Sequence, residues 1–284
     1  MKLSKLSTST ATQKTLKLPN REVRLSVSDN PFLNQIVEIV NQNKEVQTLW
    51  KIVNVHAVKR LAMTDHGPIH FQIVSQNALR LLRLFELSDI KPSIVTDFKL
   101  SQDHAEVVVF LASLFHDIGM SVHRKGHEEF SVLLSNRLLH EVLNFLPIEE
   151  RTILISEVLH AIISHRRDGQ PLTIEAGIVR VADALDMTKG RTRLPYSADK
   201  LDTHSVSALA IDEIEIKPGR IAPVEVLIVM NHTAGIFQVD DLLKEKVKGS
   251  GIEQYLDIRV YMDKGEGRQL FKDFYKRSKI KRLK

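Results

Sequence analysis

The chain contains no cysteine. Disulfides, thiolate nucleophiles and sulfur-ligated metals are therefore excluded, and any metal must be held by nitrogen and oxygen. Tryptophan occurs once and aromatics make up 6% of the 284 residues, so the core must be mostly aliphatic. No stretch approaches the roughly 18–20 uninterrupted apolar residues that a membrane-spanning helix needs. The N-terminus lacks the apolar segment of a secretory signal, and its Ser/Thr/Lys-rich start is only faintly like a transit peptide, with no arginine before Arg21. Cytoplasm is the default compartment, with no membrane partner.

What is present is an ordinary globular composition, 43% apolar and 26% charged. The length suits one substantial core, or a large domain with a small companion. A pI near 9.3 raises nucleic acid as a partner. The charge is unevenly placed, however. Residues 1–24 hold six Lys/Arg against Glu22 alone, and "KRSKIKRLK" (276–284) holds six with no acid, under a net charge of only +5. The body between is therefore mildly acidic, and the two basic ends read as solvated, disordered tails. That distribution argues against nucleic acid as the main partner.

Between the tails the pattern is helical. In "SDNPFLNQIVEIVNQN", Asp29 or Asn30 can cap, Pro31 suits the first turn, and Leu33, Ile36, Val37 and Val40 form one stripe. A second helix covers "EVQTLWKIVNVHAVKRL", and a long amphipathic one starts near Asp65. In "SQDHAEVVVFLASLFHDIGM" the pair Asp103 and Glu106 has capping-box spacing, Val107 to Phe115 is apolar on nearly every side, and Gly119 can stop the helix. Further helices are expected over 127–146, 149–165 and 174–188. Past "GRTRLPYS" the period changes to two. "ALAIDEIEIKPGRIAPVEVLIVM" predicts a hairpin, "GIFQVDDLLKEKVKG" a helix and "YLDIRVYM" a strand. The expected fold is mainly α: a helical bundle over 25–200 with a small α+β domain over 205–275. The exposed strand edges of that domain make a homo-oligomer possible in principle.

The apolar helix ends on His116-Asp117, a costly pair to bury unless compensated. Arginine pairing is the bland account. Other helices add inward-facing groups. His66 and His70 stand at i and i+4, and His70 shares a face with Val74 and Leu81. His127 opens a helix whose apolar side includes Phe130, Leu133 and Leu134. His160 and His165 lie near the end of "ILISEVLHAIISH", and Asp183 is in register with Ala176 and Val179. Single inward histidines are usually satisfied core residues, but several helices each contributing one suggest a metal site in a bundle core.

The order His70, His116-Asp117, Asp183, in the phrases "DHGPIHFQIVSQNAL", "LFHDIGM", "GHEEFSVLL", "AIISHRRDG" and "GIVRVADALDM", resembles the H…HD…D signature of the HD superfamily of metal-dependent phosphohydrolases. The resemblance covers roughly residues 60–190. It implies a first metal held by His70, His116, Asp117 and Asp183. It further implies a second metal held by His127 and His165, with Asp117 bridging and His160 a further candidate. His66 and His123 are left as supporting or substrate-contacting groups, His66 ranking first.

Two divalent ions roughly 3.5–4 Å apart can share a hydroxide and stabilise the charge gathering on a phosphoryl group. His66 could protonate the leaving oxygen. Imidazole and carboxylate donors suit manganese, iron, zinc, cobalt or magnesium without choosing among them. Phosphate also needs cations: Arg124 and Lys125 in "HRKG", Arg166 and Arg167 in "SHRRDG", and Lys189, Arg191 and Arg193 in "TKGRTR" are candidates, each with a solvated loop as the alternative. The Gly-Tyr-Pro of the HD-GYP group is missing, which argues against cyclic di-GMP. The expected substrate is a nucleotide or other small phosphorylated metabolite. The alternatives are a catalytically silent metal-binding regulator and an RNA phosphodiesterase or binder.

Overall fold

The structure, a computed structural model, describes residues 30–188, 207, 209–263 and 268–274. The expected tails over 1–24 and 276–284, together with Lys189, Arg191 and Arg193, lie outside the described residues.

Asn30 caps the first helix, α1 (Pro31–Gln42), its side-chain oxygen accepting the N–H groups of Phe32 and Leu33 at 3.0 and 3.2 Å. Asn43 does the same for α2 (Lys44–Asn54). That helix is shorter than expected, because Val55–Arg60 winds as a wider π-helical turn. The single tryptophan, fully buried, donates its indole N–H to the Leu114 carbonyl at 3.1 Å. It thus supplies a partner to one of the last-turn carbonyls of the helix that carries the His-Asp pair.

The long helix α3 (Pro68–Glu86) starts three residues later than expected. The Asp65 carboxylate accepts the Gly67 N–H at 2.8 Å, which folds 65–67 into a turn before Pro68 takes the first helical position. His66 is accordingly not on the helix, although its ring still lies 5.5 Å from that of His70. A short helix that the pattern did not reveal, α4 (Ser93–Phe98), begins where the buried Glu175 carboxylate accepts the N–H groups of Ser93 and Ile94.

Helix α5 (Gln102–Phe115) is capped by Ser101 and His104, not by Asp103 and Glu106. Glu106 is instead drawn into the interior, where it accepts from Arg83 at 2.6 Å and Asn30 at 3.1 Å. Every residue from Val107 to Phe115 is buried, so α5 is the enclosed central helix. It ends at Phe115, before Gly119, and the glycine has a different task. A Cβ at Gly119 would stand 2.0 Å from the His127 carbonyl and 2.4 Å from the Ser131 nitrogen. Its absence lets the turn after the His-Asp pair lie directly on α6 (His127–Val142), and Ser131 Oγ accepts the Gly119 N–H at 2.8 Å. The buried side of α6 carries Ser131, Ser135, Leu138, Leu139 and Val142, while Leu133 is 70% exposed, so the expected apolar side of that helix is corrected. Helices α7 (Ile148–Ser164) and α8 (Ile174–Ala184) complete the bundle.

The period-two segments form a four-stranded sheet in the order β1 (Ile211–Pro218), β2 (Val224–Met230), β3 (Leu256–Asp263) and β4 (Arg268–Phe274). The first pair is the expected hairpin, β2 and β3 are parallel, and β4 returns antiparallel. The parallel pairing requires a crossover. It contains a π-helical turn (Gln238–Leu243) leading into α9 (Lys244–Val247), and it packs against α8. Val224, Val226, Ile228, Ile258 and Val260 point from one sheet face into the same apolar cluster that holds the bundle residues Leu82, Phe110 and Val179. One core therefore runs beneath both portions, at roughly 1.5–3 kcal/mol for each large apolar side chain enclosed.

Candidate metal centre

Five helices deliver polar groups to one buried point. His70 comes from the first turn of α3, His116 and Asp117 from the end of α5, His127 from the start of α6, His165 from the end of α7 and Asp183 from the last turn of α8. His70, His116, Asp117, His127 and His165 are each at most 6% exposed.

The tautomers follow from their neighbours. His116 Nδ1 faces the Ser113 carbonyl at 2.9 Å and His165 Nδ1 faces the Ile162 carbonyl at 2.6 Å. A carbonyl only accepts, so both nitrogens carry protons and, in the neutral rings, both Nε2 atoms present lone pairs. His70 Nδ1 donates to the Asp186 carboxylate at 2.6 Å. The Nε2 atoms of His70 and His116 then face each other across 3.1 Å. Two lone pairs at that distance in a dry interior are repulsive unless a cation or a proton stands among them. The donor set therefore fits a metal: anchored imidazoles, their free nitrogens converging, beside carboxylates.

The carboxylates sort into two groups. Asp183 Oδ1 lies 3.5 Å from His70 Nε2 and 3.6 Å from His116 Nε2. Asp117 Oδ2 lies 3.8 and 3.6 Å from the same two nitrogens. The other oxygen of Asp117, Oδ1, is 2.9 Å from His127 Nε2 and 3.6 Å from His165 Nε2. Metal-competent groupings accordingly form around His70, His116 and Asp183, around His116, Asp117 and His165, and around His127, Glu128 and His165.

Electrostatics follows the same division. Burial opposes ionisation of Asp117, but the imidazoles of His116, His127 and His165 overcome it and hold the carboxyl well below its usual range. Asp183 is depressed in the same way, burial being outweighed by the Lys246 ammonium and His116. Burial, helped by Lys246 and His116, pushes His165 down to about 4 despite its contact with Asp117. For His127 burial is outweighed by hydrogen bonds to Asp117 and Glu128, which raise it to about 9. The same contact takes Glu128 down to about 2 against the effect of burial.

Other expected residues stand as follows. His66 is buried, with Nδ1 donating to the Thr64 carbonyl at 2.8 Å. His160 is not brought into the cluster: its Nε2 accepts the Leu172 N–H at 3.0 Å, and it lines a groove of about 460 Å³ between α6 and α7 with Leu133 and Ile163. Arg124 is exposed at the rim, its guanidinium 2.8 Å from His127 Nδ1. Lys125 and His123 are exposed on the same turn. Arg166 pairs with Asp168 and Glu129 instead of facing the centre.

Glu128, beside His127, escaped the sequence reading, as did three residues that support the centre. Asp186 orients His70. Lys246, from the crossover of the sheet, reaches Asp183 Oδ2 at 3.3 Å and the His165 carbonyl. Arg180, 2% exposed, donates to the carbonyls of Ser164, Arg166, Arg167 and Gly169 on one side and Glu245 and Lys246 on the other. Asp186 had a faint signal, standing three residues after Asp183. The other two act over long chain separations and had none.

The family model of the HD domain matches residues 70–188. The chain belongs to the HD domain family, whose members are generally metal-dependent phosphohydrolases. It is 42% identical over 224 residues to the uncharacterised protein MJ1020 of Methanocaldococcus jannaschii, covering 78% of this chain and 86% of that one. It is also 25% identical over 225 residues to ribonuclease Y of Aster yellows witches'-broom phytoplasma, covering 74% of this chain. Against ribonuclease Y of Onion yellows phytoplasma the identity is 27% over 161 residues, or 55% of this chain. The chain spans only 38% and 26% of the lengths of those two ribonucleases. Among the described residues no helix is long and apolar enough to cross a membrane.

Proposed function

We propose that the protein hydrolyses a phosphate ester, of a nucleotide or another small phosphorylated metabolite, at a pair of divalent ions. His70, His116, Asp117 and Asp183 would hold one ion, and Asp117, His127 and His165 the other. The observation that carries this reading is the division of Asp117, with Oδ2 turned to His70 and His116 and Oδ1 turned to His127 and His165. A carboxylate so placed can bridge. Ions in such positions supply a nucleophile from water near neutral pH and offset charge on the phosphoryl oxygens.

The chain's own groups do the rest. The carbonyls of Ser113 and Ile162 and the carboxylate of Asp186 fix the imidazole tautomers, so the free nitrogens need no reorganisation. Arg124 at the rim can meet a phosphate oxygen, and Lys125 extends the same positive edge. Lys189, Arg191 and Arg193 are offered for the same task from the segment after Asp183. His66, its Nδ1 proton committed to Thr64 and its ring beside His70, is the candidate for protonating the leaving oxygen, giving up the Nε2 proton of its imidazolium form.

A second reading has its own support. The likeness to two ribonucleases Y favours an RNA phosphodiester as substrate, and one of those matches is 225 residues long, more than the stretch matched by the HD domain model. Manganese-loaded protein should be assayed on a chromogenic monoester, a chromogenic diester and single-stranded RNA, with Asp117→Ala as control. Hydrolysis lost in the variant supports the proposal, and the preferred ester chooses between the readings. Full metal loading with no turnover of any ester would leave the silent regulator.

A further inference from the structure

We propose that Lys246, supplied by the sheet portion, is a phosphate-binding residue of the metal centre, so that the centre is incomplete without the β2–β3 crossover. The inference rests on the phosphohydrolase reading above.

Its basis is placement. Lys246 stands on α9, more than sixty residues beyond Asp183 in the chain, yet its ammonium is 3.3 Å from Asp183 Oδ2 and also donates to the His165 carbonyl. Asp183 thereby divides its oxygens, one turned to the imidazoles of His70 and His116 and the other to Lys246. The lysine side chain is 17% exposed, so it borders both the cluster and solvent, where a substrate would arrive.

The position is built by two fixed contacts. Arg180 donates to the Lys246 carbonyl at 2.8 Å and to the Glu245 carbonyl at 3.2 Å, while its other bonds go to carbonyls of the 164–169 loop. Gly177 on α8 allows the Ser250 carbonyl to approach to where a Cβ would be 2.3 Å away. Both contacts press the crossover on to α8 and aim Lys246 at Asp183.

Electrostatics then identifies the ligand. Without ions, Lys246 balances a carboxylate that is partly withdrawn from solvent. With divalent ions beside Asp183, the ammonium would face more positive charge, an arrangement that becomes favourable only when an anion joins it. A tetrahedral phosphate on the ions would supply that anion, and a charge-assisted hydrogen bond from Nζ would hold it. Lys246 would thus contact substrate from one group while Arg124 approaches from the other.

The test is calorimetric titration of inorganic phosphate into the manganese-loaded full-length protein, with metal content measured alongside. Wild type should bind phosphate. Lys246→Met should keep its metal and its fold by circular dichroism but bind phosphate roughly tenfold to hundredfold more weakly, the range of one charged hydrogen bond. Lys246→Arg should recover part of the loss, which a purely structural defect would not allow. On a turned-over ester, KM should rise in Lys246→Met and inhibition by phosphate should weaken in parallel. The proposal is overturned if wild type binds no phosphate, if Lys246→Met binds it as tightly as wild type, or if that variant loses its metal. Because phosphate binding needs no turnover, failure of the hydrolase reading shows separately, as wild-type protein that binds phosphate and cleaves nothing.

Discussion

Replacing Asp186 by alanine perturbs the metal centre without touching an expected ligand. Its carboxylate accepts the Nδ1 proton of His70 at 2.6 Å, and the two residues are each 1% exposed. A hydrogen bond to a charged acceptor contributes about 1.5–3 kcal/mol net, and losing it also frees the ring to rotate or change tautomer. At about 1.4 kcal/mol per factor of ten, the metal should bind roughly ten- to a hundredfold more weakly. Competition with a chromophoric chelator measures this directly. Asp186→Asn, whose side-chain oxygen can still accept, should lose less. If Asp186→Ala holds its metal as tightly as wild type, His70 is not prepared as a ligand and the reasoning about tautomers is wrong.

Other perturbations test other parts. Arg180→Met, which leaves six carbonyls without their donor in a buried place, should cost more than about 3 kcal/mol in chemical denaturation and detach the crossover. Gly119→Ala forces a Cβ against the α6 backbone, so stability should fall by about 1–3 kcal/mol and metal content with it; an unchanged melting point would contradict the close approach. Glu157 is raised to about 7, first by burial and then by Glu175 and Asp97. Its folded pKa exceeds the unfolded value of 4.5, so its contribution to stability is most favourable below that value and is lost as pH rises towards 7. Glu157→Gln should therefore raise the melting temperature more at pH 8 than at pH 5, and an equal gain at both would refute the shift.

The sequence displayed the centre better than its surroundings. The set His70, His116, Asp117 and Asp183 came from the resemblance to the HD superfamily, and periodicity added only that His70 and Asp183 share a helix face with apolar neighbours. The hairpin was legible because alternation flanks a Pro-Gly turn. Errors arose where a long-range partner outweighed the local pattern. Glu106 has the spacing to cap α5 but is drawn inward by Arg83 and Asn30, leaving the cap to Ser101 and His104. Leu133 has helical spacing yet faces out, because α6 packs on the turn through Ser131, beside which Gly119 permits a close approach. His160 resembles a ligand by helix and position, but the Leu172 N–H takes its ring nitrogen. Lys246 and Arg180 depend on the sheet crossover meeting α8, and no local pattern encodes that meeting.

Whether these helices gather their nitrogen and oxygen donors around paired divalent ions is open to a direct count. Metal analysis of purified protein reconstituted with manganese, compared with Asp117→Ala, tests it most directly. About two ions per chain are expected in wild type, with binding at both positions impaired by the single substitution, because one carboxylate faces both groups. A wild-type protein that binds no metal, or an Asp117→Ala variant that binds it undiminished, would contradict it.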